Sequence, residues 1–263
     1  MWSTRNIEDL PVWSDHQIIE IFHLIFLRAF GGRVDKALFA LKGGCNLRFF
    51  HKSIRYSEDM DLDVQTMSVE TLKSNVERIL GAESFAQSLR AQRIESIRFT
   101  SPKQTATTQR WKIGLRLVDS GNEIPTKIEF SRRLLEAGST HDAVDPEIIT
   151  RYRLYTVLAR HYSAATAFEQ KVLALALRSE TQARDIFDLK LLIDSKAAPQ
   201  SLREDVKAKL PRSIKNALSI DFAAFVGQVV AYLDPEYQSH FSERKVWNVL
   251  QEQVVDALGA LQT

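Results

Sequence analysis

Cysteine is almost absent: the 263-residue chain holds one, Cys45. That excludes an intramolecular disulfide and makes a cysteine-built zinc site implausible, and it fits a reducing cytoplasm. Glycine and proline are sparse as well, at ten and seven residues, so few long loops are expected. Neither sign of charge dominates, since 35 Lys and Arg against 33 Asp and Glu leave +2. A protein coated in positive charge for packaging nucleic acid is thereby disfavoured, while a local basic face is not. No internal repeat or low-complexity tract is visible. The most apolar run, Ile18 to Phe30, is interrupted by Glu20, His23 and Arg28 and falls short of the ~20 residues that a membrane-spanning helix needs. The stretch from Met1 to Arg5 does not open the apolar core of a secretory signal. A soluble cytoplasmic protein with no membrane partner is the expectation.

What is present is globular in character, with 44% hydrophobic, 26% charged and 9% aromatic residues, enough for one large domain or two modest ones. Residues from about 14 to 31 read as a buried helix capped by Ser14 or Asp15. Val34 to Leu41 reads as a second helix running into Gly43-Gly44, with helix resuming over Asn46 to Lys52. Ser68 can cap one long helix over Val69 to about Arg90, striped by Leu72, Val76, Ile79 and Leu80. Strand patterns follow at Met60 to Val64, Ile94 to Thr100, Arg110 to Leu117 and around Ile128 and Phe130. After Asp145-Pro146 the pattern turns helical almost to the end, with breaks near Ala198-Pro199 and Pro211. The expected architecture is α+β: a mixed sheet with helices over residues 1–145, then a helical domain over 146–263.

The chemistry concentrates in Ser57-Glu58-Asp59-Met60-Asp61-Leu62-Asp63. On a strand, Asp59, Asp61 and Asp63 share one face, about 6.5–7 Å apart, while Met60, Leu62 and Val64 bury the other. Such a row repels itself unless it is solvated or a cation sits on it. All-oxygen donors select a hard ion, Mg²⁺ or Mn²⁺. A solvated strand face is the ordinary explanation of a charge run. An EF-hand loop starting at Asp59 fails, because Val64 stands where that loop needs glycine. Context favours the metal. Gly43-Gly44 precedes the acidic strand and could let backbone N–H groups approach phosphate oxygens, although such a pair is more often a cap or turn. Glu129 stands on a separate strand between buried Ile128 and Phe130. A glycine turn, an acidic pair two residues apart and a remote third acid are the parts of a two-metal phosphoryl-transfer site.

Leu41-Lys42-Gly43-Gly44-Cys45-Asn46-Leu47-Arg48 followed by Arg55-Tyr56-Ser57-Glu58-Asp59-Met60-Asp61-Leu62 resembles the AbiEii/AbiGii toxin family of nucleotidyltransferase-fold proteins. Lys171-Val172-Leu173-Ala174-Leu175 with Arg178, then Arg184-Asp185-Ile186-Phe187-Asp188-Leu189, is similar to that family's second signature. The resemblance implies a polymerase-β-like nucleotidyltransferase core with a helical C-terminal domain. It implies a toxin of a toxin–antitoxin or phage-defence system, with a cognate antitoxin encoded nearby. It also implies transfer of NMP from an NTP to an acceptor, with RNA the acceptor expected here and the 3′ end of tRNA the acceptor in some relatives. By the same resemblance Gly43 and Gly44 would hold nucleotide phosphates, with Arg55 and Ser57 beside them. Asp59 and Asp61, with Glu129, would hold Mg²⁺, and Lys171 with Asp185 would complete the site. Cys45 departs from the pattern, because many nucleotidyltransferases carry there a Ser or Thr that donates to phosphate, and a thiol is a poorer donor.

Lys171, Arg178 and Asp185 are spaced seven apart and Asp188 follows three later, which on one continuous helix would align all four. A surface salt-bridge ladder is the bland alternative. Lys171 and Arg178 border a very apolar segment, however, where charges need partners or a ligand. The expectation is that Lys171 meets phosphate across a cleft, with Arg178 or Arg184 tethering Asp185 or Asp188. Lys42 and Arg55 are either phosphate contacts or ion-pair partners of the acidic strand. Between residues 90 and 133 ten Lys and Arg stand against four acids, which suits an RNA acceptor as well as an ordinary solvated sheet face. The six histidines show no metal-ligand spacing. A non-catalytic nucleotide- or RNA-binding regulator and a protein-modifying nucleotidyltransferase are the alternatives to an RNA-modifying enzyme.

Overall fold

Ser14 opens the first helix, α1 (Asp15–Arg33), through a reciprocal capping box: its hydroxyl accepts from the Gln17 N–H and its own N–H donates to Gln17 Oε1. The computed structural model describes residues 12–118, 121–199 and 201–262. The Met1–Arg5 stretch and Asp119, both counted above, lie outside the described residues. Two compact units are formed, one of residues up to Phe50 with Tyr56–His161, the other of His51–Arg55 with the chain from Tyr162 onward.

The first unit is built on a seven-stranded mixed sheet. Its strands are β1 (Phe39–Lys42), β2 (Asp59–Val64), β3 (Ile94–Gln104), β4 (Thr108–Leu117), β5 (Glu123–Arg132), β6 (Ser139–Ala143) and β7 (Leu158–Tyr162). Their order across the sheet is β3-β4-β5-β2-β1-β7-β6. β2 is central, antiparallel to β1 and parallel to β5. The alternation expected of β2 and β5 holds, since Met60, Leu62, Val64, Ile128 and Phe130 are buried. α1, α3 (Val69–Leu80) and α4 (Glu83–Arg90) cover that apolar side, with α1 packed on β5 and α4 on β3. α1 is buried on several sides and carries two polar groups into the core. Glu20 is neutralised by Arg48 at 2.7 Å and accepts from the Tyr152 hydroxyl, as a buried carboxylate requires.

Several expectations are corrected. Val34–Leu41 is not a helix: a short 3₁₀ turn, Lys36–Leu38, leads into β1, because Phe39, Ala40 and Leu41 pair with Val64, Asp63 and Leu62. Strand pairing overrides a pattern too short to tell helix from strand. Helix starts at the glycines themselves, as α2 (Gly43–Phe50). The long helix expected over residues 69–90 is two, broken at Gly81, whose N–H caps the Glu77 carbonyl. The sheet continues past residue 145, because β7 returns beside β1, between it and the edge strand β6. α5 (Pro146–Arg151) joins those two strands.

The second unit is helical: α6 (Ala164–Leu177), α7 (Ala183–Asp194), α8 (Glu204–Lys207), α9 (Leu210–Leu218), α10 (Phe222–Gln228), α11 (Pro235–Phe241) and α12 (Arg244–Ala260). The break expected near Pro211 is present: α8 ends at Lys207 and α9 begins at Leu210, with Pro211 in its first turn, where its missing N–H costs nothing. α9 is tied to α6 by side chains that satisfy main-chain carbonyls, Ser213 Oγ to Val172 O and Asn216 Nδ2 to Leu175 O. Among the described residues no single helix is long and apolar enough to cross a membrane.

Candidate active site

The acidic strand gains its neighbours through register. Asp59, Asp61 and Asp63 pair with Lys127, Glu129 and Ser131 of β5, and Lys42 of β1 pairs with Asp61. Paired residues project to the same face. One row across the sheet therefore reads Lys42, Asp61, Glu129, Arg110, the last by pairing of β4 with β5. Glu129, 68 residues further along the chain than Asp61, stands directly beside it.

The three aspartates have different fates. Asp63 is fully buried and claimed: Lys42 Nζ lies 2.6 Å from its Oδ1 and Arg133 Nε 2.9 Å. Lys42, which also donates to Ser131, is thus the ion-pair partner of the acidic strand. Asp59 Oδ2 accepts from Lys127 Nζ at 2.6 Å and Glu129 Oε2 from Arg110 Nε at 2.5 Å, both pairs partly open to solvent. Asp61 is half-buried. Burial pushes its carboxyl above the usual range; Lys42 opposes this, Asp59 and Glu129 add to it, and Lys127 opposes it again.

Gly43 sits against Asp61. Its backbone is left-handed, φ +67°, and a Cβ there would lie 3.0 Å from Asp61 Oδ2. Glycine is required on both counts, conformation and close approach. Gly44 follows in the first turn of α2. Cys45 turns inward: it is buried, its thiol donates to Asp59 O at 3.3 Å, and burial holds its pKa well up. It braces the acidic strand. Ser57 Oγ donates to the same carbonyl at 2.9 Å.

Beneath the strand lies a polar network that sequence patterns do not reveal. Thr126 Oγ1 donates to Glu58 O at 2.6 Å and lies 2.9 Å from His23 Nε2, while His23 Nδ1 is 3.5 Å from Cys45 Sγ. The hydroxyl's one proton goes to Glu58 O, so His23 Nε2 carries the proton between them. Burial lowers the His23 pKa to about 3, so the ring is neutral. His23 packs in the core as expected, and α1 thereby steadies the start of β2. Arg110 and Lys127 were visible only as alternating charges; their roles needed the strand register.

In the helical unit the second signature forms a buried ion cluster. Lys171 Nζ lies 2.9 Å from Asp185 Oδ1 and 2.6 Å from Asp188 Oδ2. Arg55 grips both oxygens of Asp188, and Arg178 Nε is 2.9 Å from Asp185 Oδ2. Asp185 and Asp188 are fully buried and Lys171 nearly so. Asp188 stays below the usual carboxylate range, burial being outweighed by Arg55 and Lys171. One continuous helix is not what aligns them: α6 ends at Leu177, Arg178 is extended, and the charges meet between α6 and α7. Arg55 is an ion-pair partner of Asp188. Arg184, half-buried on α7, stands outside these pairs.

Asp59, Asp61 and Glu129 offer three neighbouring hard oxygen donors of like charge, only partly compensated by Lys127, Arg110 and Lys42, which is the chemistry a divalent cation satisfies. Among the described residues no three His, Cys, Asp or Glu side chains converge into a ready-made metal cage; Asp59 and Glu129 are turned to Lys127 and Arg110 instead. Those two cations are each about one-third exposed, so either can swing into solvent at small cost.

The architecture is similar to two crystal structures from Helicobacter pylori. One is JHP933, 17% identical, with a TM-score of 0.54 over 96% of this chain and 100% of that one. The other is a proposed nucleotidyltransferase, 16% identical, with a TM-score of 0.55 over the same shares. At these identities the likeness establishes the fold. No curated protein matches the chain. The family comparison is decisive: residues 25–258 match the nucleotidyl transferase AbiEii toxin family, type IV toxin–antitoxin system. The stretch spans both units and contains the acidic row and the buried ion cluster of the helical unit, and the chain belongs to the AbiEii nucleotidyltransferase toxins.

Proposed function

We propose that the protein transfers a nucleoside monophosphate from an NTP to a hydroxyl of an RNA acceptor, the 3′ end of tRNA included, with Mg²⁺ or Mn²⁺ held by Asp59, Asp61 and Glu129. The observation that carries this is the side-by-side placement of Asp61 and Glu129 on β2 and β5 against the left-handed Gly43. A bound divalent ion supplies neutralisation of triphosphate charge. The chain's own groups do the rest. Gly43 and Gly44 open α2 with unencumbered backbone N–H groups, the kind of helix start that receives phosphate. Glu129 either completes the ion's ligand shell or takes the proton of the acceptor hydroxyl. That oxygen forms a bond to the α-phosphorus as the α–β bridging bond breaks and pyrophosphate leaves. In the helical unit Lys171 and Asp185 are the catalytic candidates, with Asp188, Arg55 and Arg178 holding both.

An RNA acceptor is supported by the sheet itself. Arg98, Lys112 and Arg116 of β3 and β4 are exposed. Pairing puts Lys112 level with Lys127, which holds Asp59. A cationic surface continuous with the acidic row is what a polyanion needs to reach it. The family implies an antitoxin partner; a reading frame adjoining the gene is where it is expected.

The test is incubation of purified protein with each labelled NTP and total RNA, with and without Mg²⁺. Label on RNA that requires Mg²⁺ and disappears in Asp59→Asn and Asp61→Asn, together with loss of growth inhibition, supports the assignment. Undiminished incorporation by the double variant rejects it. Label on protein would transfer the chemistry to a protein acceptor, and binding without turnover would make the protein a regulator.

A further inference from the structure

A concavity lies on the helix-covered side of the sheet, away from the acidic face. It encloses about 870 Å³ between α1, α4 and the segment after α5, within the range of small-molecule sites. Its wall is apolar, with Leu24, Ile25, Ile79 and Phe85 contributing. Three arginines line it, Arg28, Arg33 and Arg153, and among the described residues no carboxylate does. Arg28 lies over the ring of Tyr155, 4.5 Å from its centre, and Tyr155 is 67% exposed. Gln92, another lining residue, is 6% exposed. Its Nε2 donates to Tyr152 O, but its Oε1 is buried with no partner among the described residues.

A buried acceptor without a donor is costly unless something supplies one. Reversing the amide would not help, because the oxygen would then face Tyr152 O. Positive charge without acid excludes a cationic occupant, and the apolar wall disfavours a fully hydrated ion such as free phosphate. We propose that this cavity binds a small organic anion with an aromatic or otherwise apolar body, its anionic group paired by Arg28 and Arg153 and an N–H or O–H donor satisfying Gln92 Oε1. Neither the acidic row nor the helical unit takes part. The site is coupled to the acidic strand through one element: Leu24, Ile25 and Arg28 line it from the turn of α1 that follows His23.

The probe is 8-anilinonaphthalene-1-sulfonate, an aromatic anion with one N–H, titrated into the full chain by fluorescence and calorimetry. Naphthalene-1-sulfonate, which lacks the N–H, is run in parallel. Gly32 lines the cavity from the last turn of α1, and a Cβ there meets nothing within 4 Å. Gly32→Trp therefore fills the cavity without disturbing the core. Expected results are a single saturable site, lost or weakened at least tenfold in Gly32→Trp and in Arg28→Glu/Arg153→Glu. Gln92→Met should weaken the anilino compound about three- to tenfold and leave naphthalene-1-sulfonate unchanged. Unaltered affinity in folded Gly32→Trp, or equal loss of both compounds in Gln92→Met, overturns the proposal. Circular dichroism establishes that each variant is folded.

Discussion

Gly43→Ala separates two demands that one glycine meets. At φ +67° an L-residue pays roughly 1–2 kcal/mol for the left-handed backbone. For a unit of this size that lowers the melting temperature by about 2–8 °C. The new methyl group would also stand 3.0 Å from Asp61 Oδ2, so the carboxylate must give by a few tenths of an ångström. Misplacement on that scale costs on the order of tenfold in rate where metal and phosphate must align. Gly43→Asn carries the same Cβ but tolerates the left-handed region. It should recover most of the lost stability and none of the lost turnover. Thermal melts and single-turnover NMP incorporation measure the two quantities on the same preparations. Full activity in a destabilised Gly43→Ala, or equal melting of the Ala and Asn variants, would refute the argument.

Asp63→Asn should destabilise the sheet unit by about 3 kcal/mol, since it strands Lys42 and Arg133 around a buried site; urea unfolding measures it. Asp61 and Asp188 should give opposite pH signatures. Asp61 is raised above its ordinary 3.8, so its ionisation costs stability that Asp61→Asn recovers at pH 8 and loses as pH falls to about 3.8. Asp188 is lowered, so it contributes stability above its ordinary 3.8 that is lost as pH falls through the depressed value; Asp188→Asn should flatten that acid limb in melts across pH. Added Mg²⁺ should raise the melting temperature of the wild type and leave Asp61→Asn unmoved. Cys45, buried with its pKa pushed up, should resist iodoacetamide at pH 8 in the native state and react stoichiometrically in urea.

The acidic strand, its apolar reverse face and Glu129 were legible because period-two alternation survives any tertiary context that buries one face of a sheet. So was the α1 boundary, where Ser14 and Gln17 write a capping box locally. β1 was not, because Phe39-Ala40-Leu41 is apolar throughout and only pairing with β2 decides its state. β7 was hidden for a similar reason: Leu158 is exposed while Ala159, His161 and Tyr162 are buried, which gives no clean alternation. At the site, the residue types were readable but their allegiances were not. Lys42 belongs to Asp63, Arg55 to Asp188 and Glu129 to Arg110, and each partnership spans from 19 to 133 residues of chain. The support that His23 gives to β2 was not legible, because nothing local distinguishes a histidine that supports a strand from one that fills space.

The middle of the sheet is laid down out of chain order. β2 leaves the ribosome early, yet its parallel neighbour arrives only with residues 127–132. A nascent polypeptide released before that point possesses Asp59 and Asp61 but has no Glu129 to set beside them. Under the proposed assignment such a fragment lacks the full acidic row, whose three members come together only after most of the sheet unit has been synthesised.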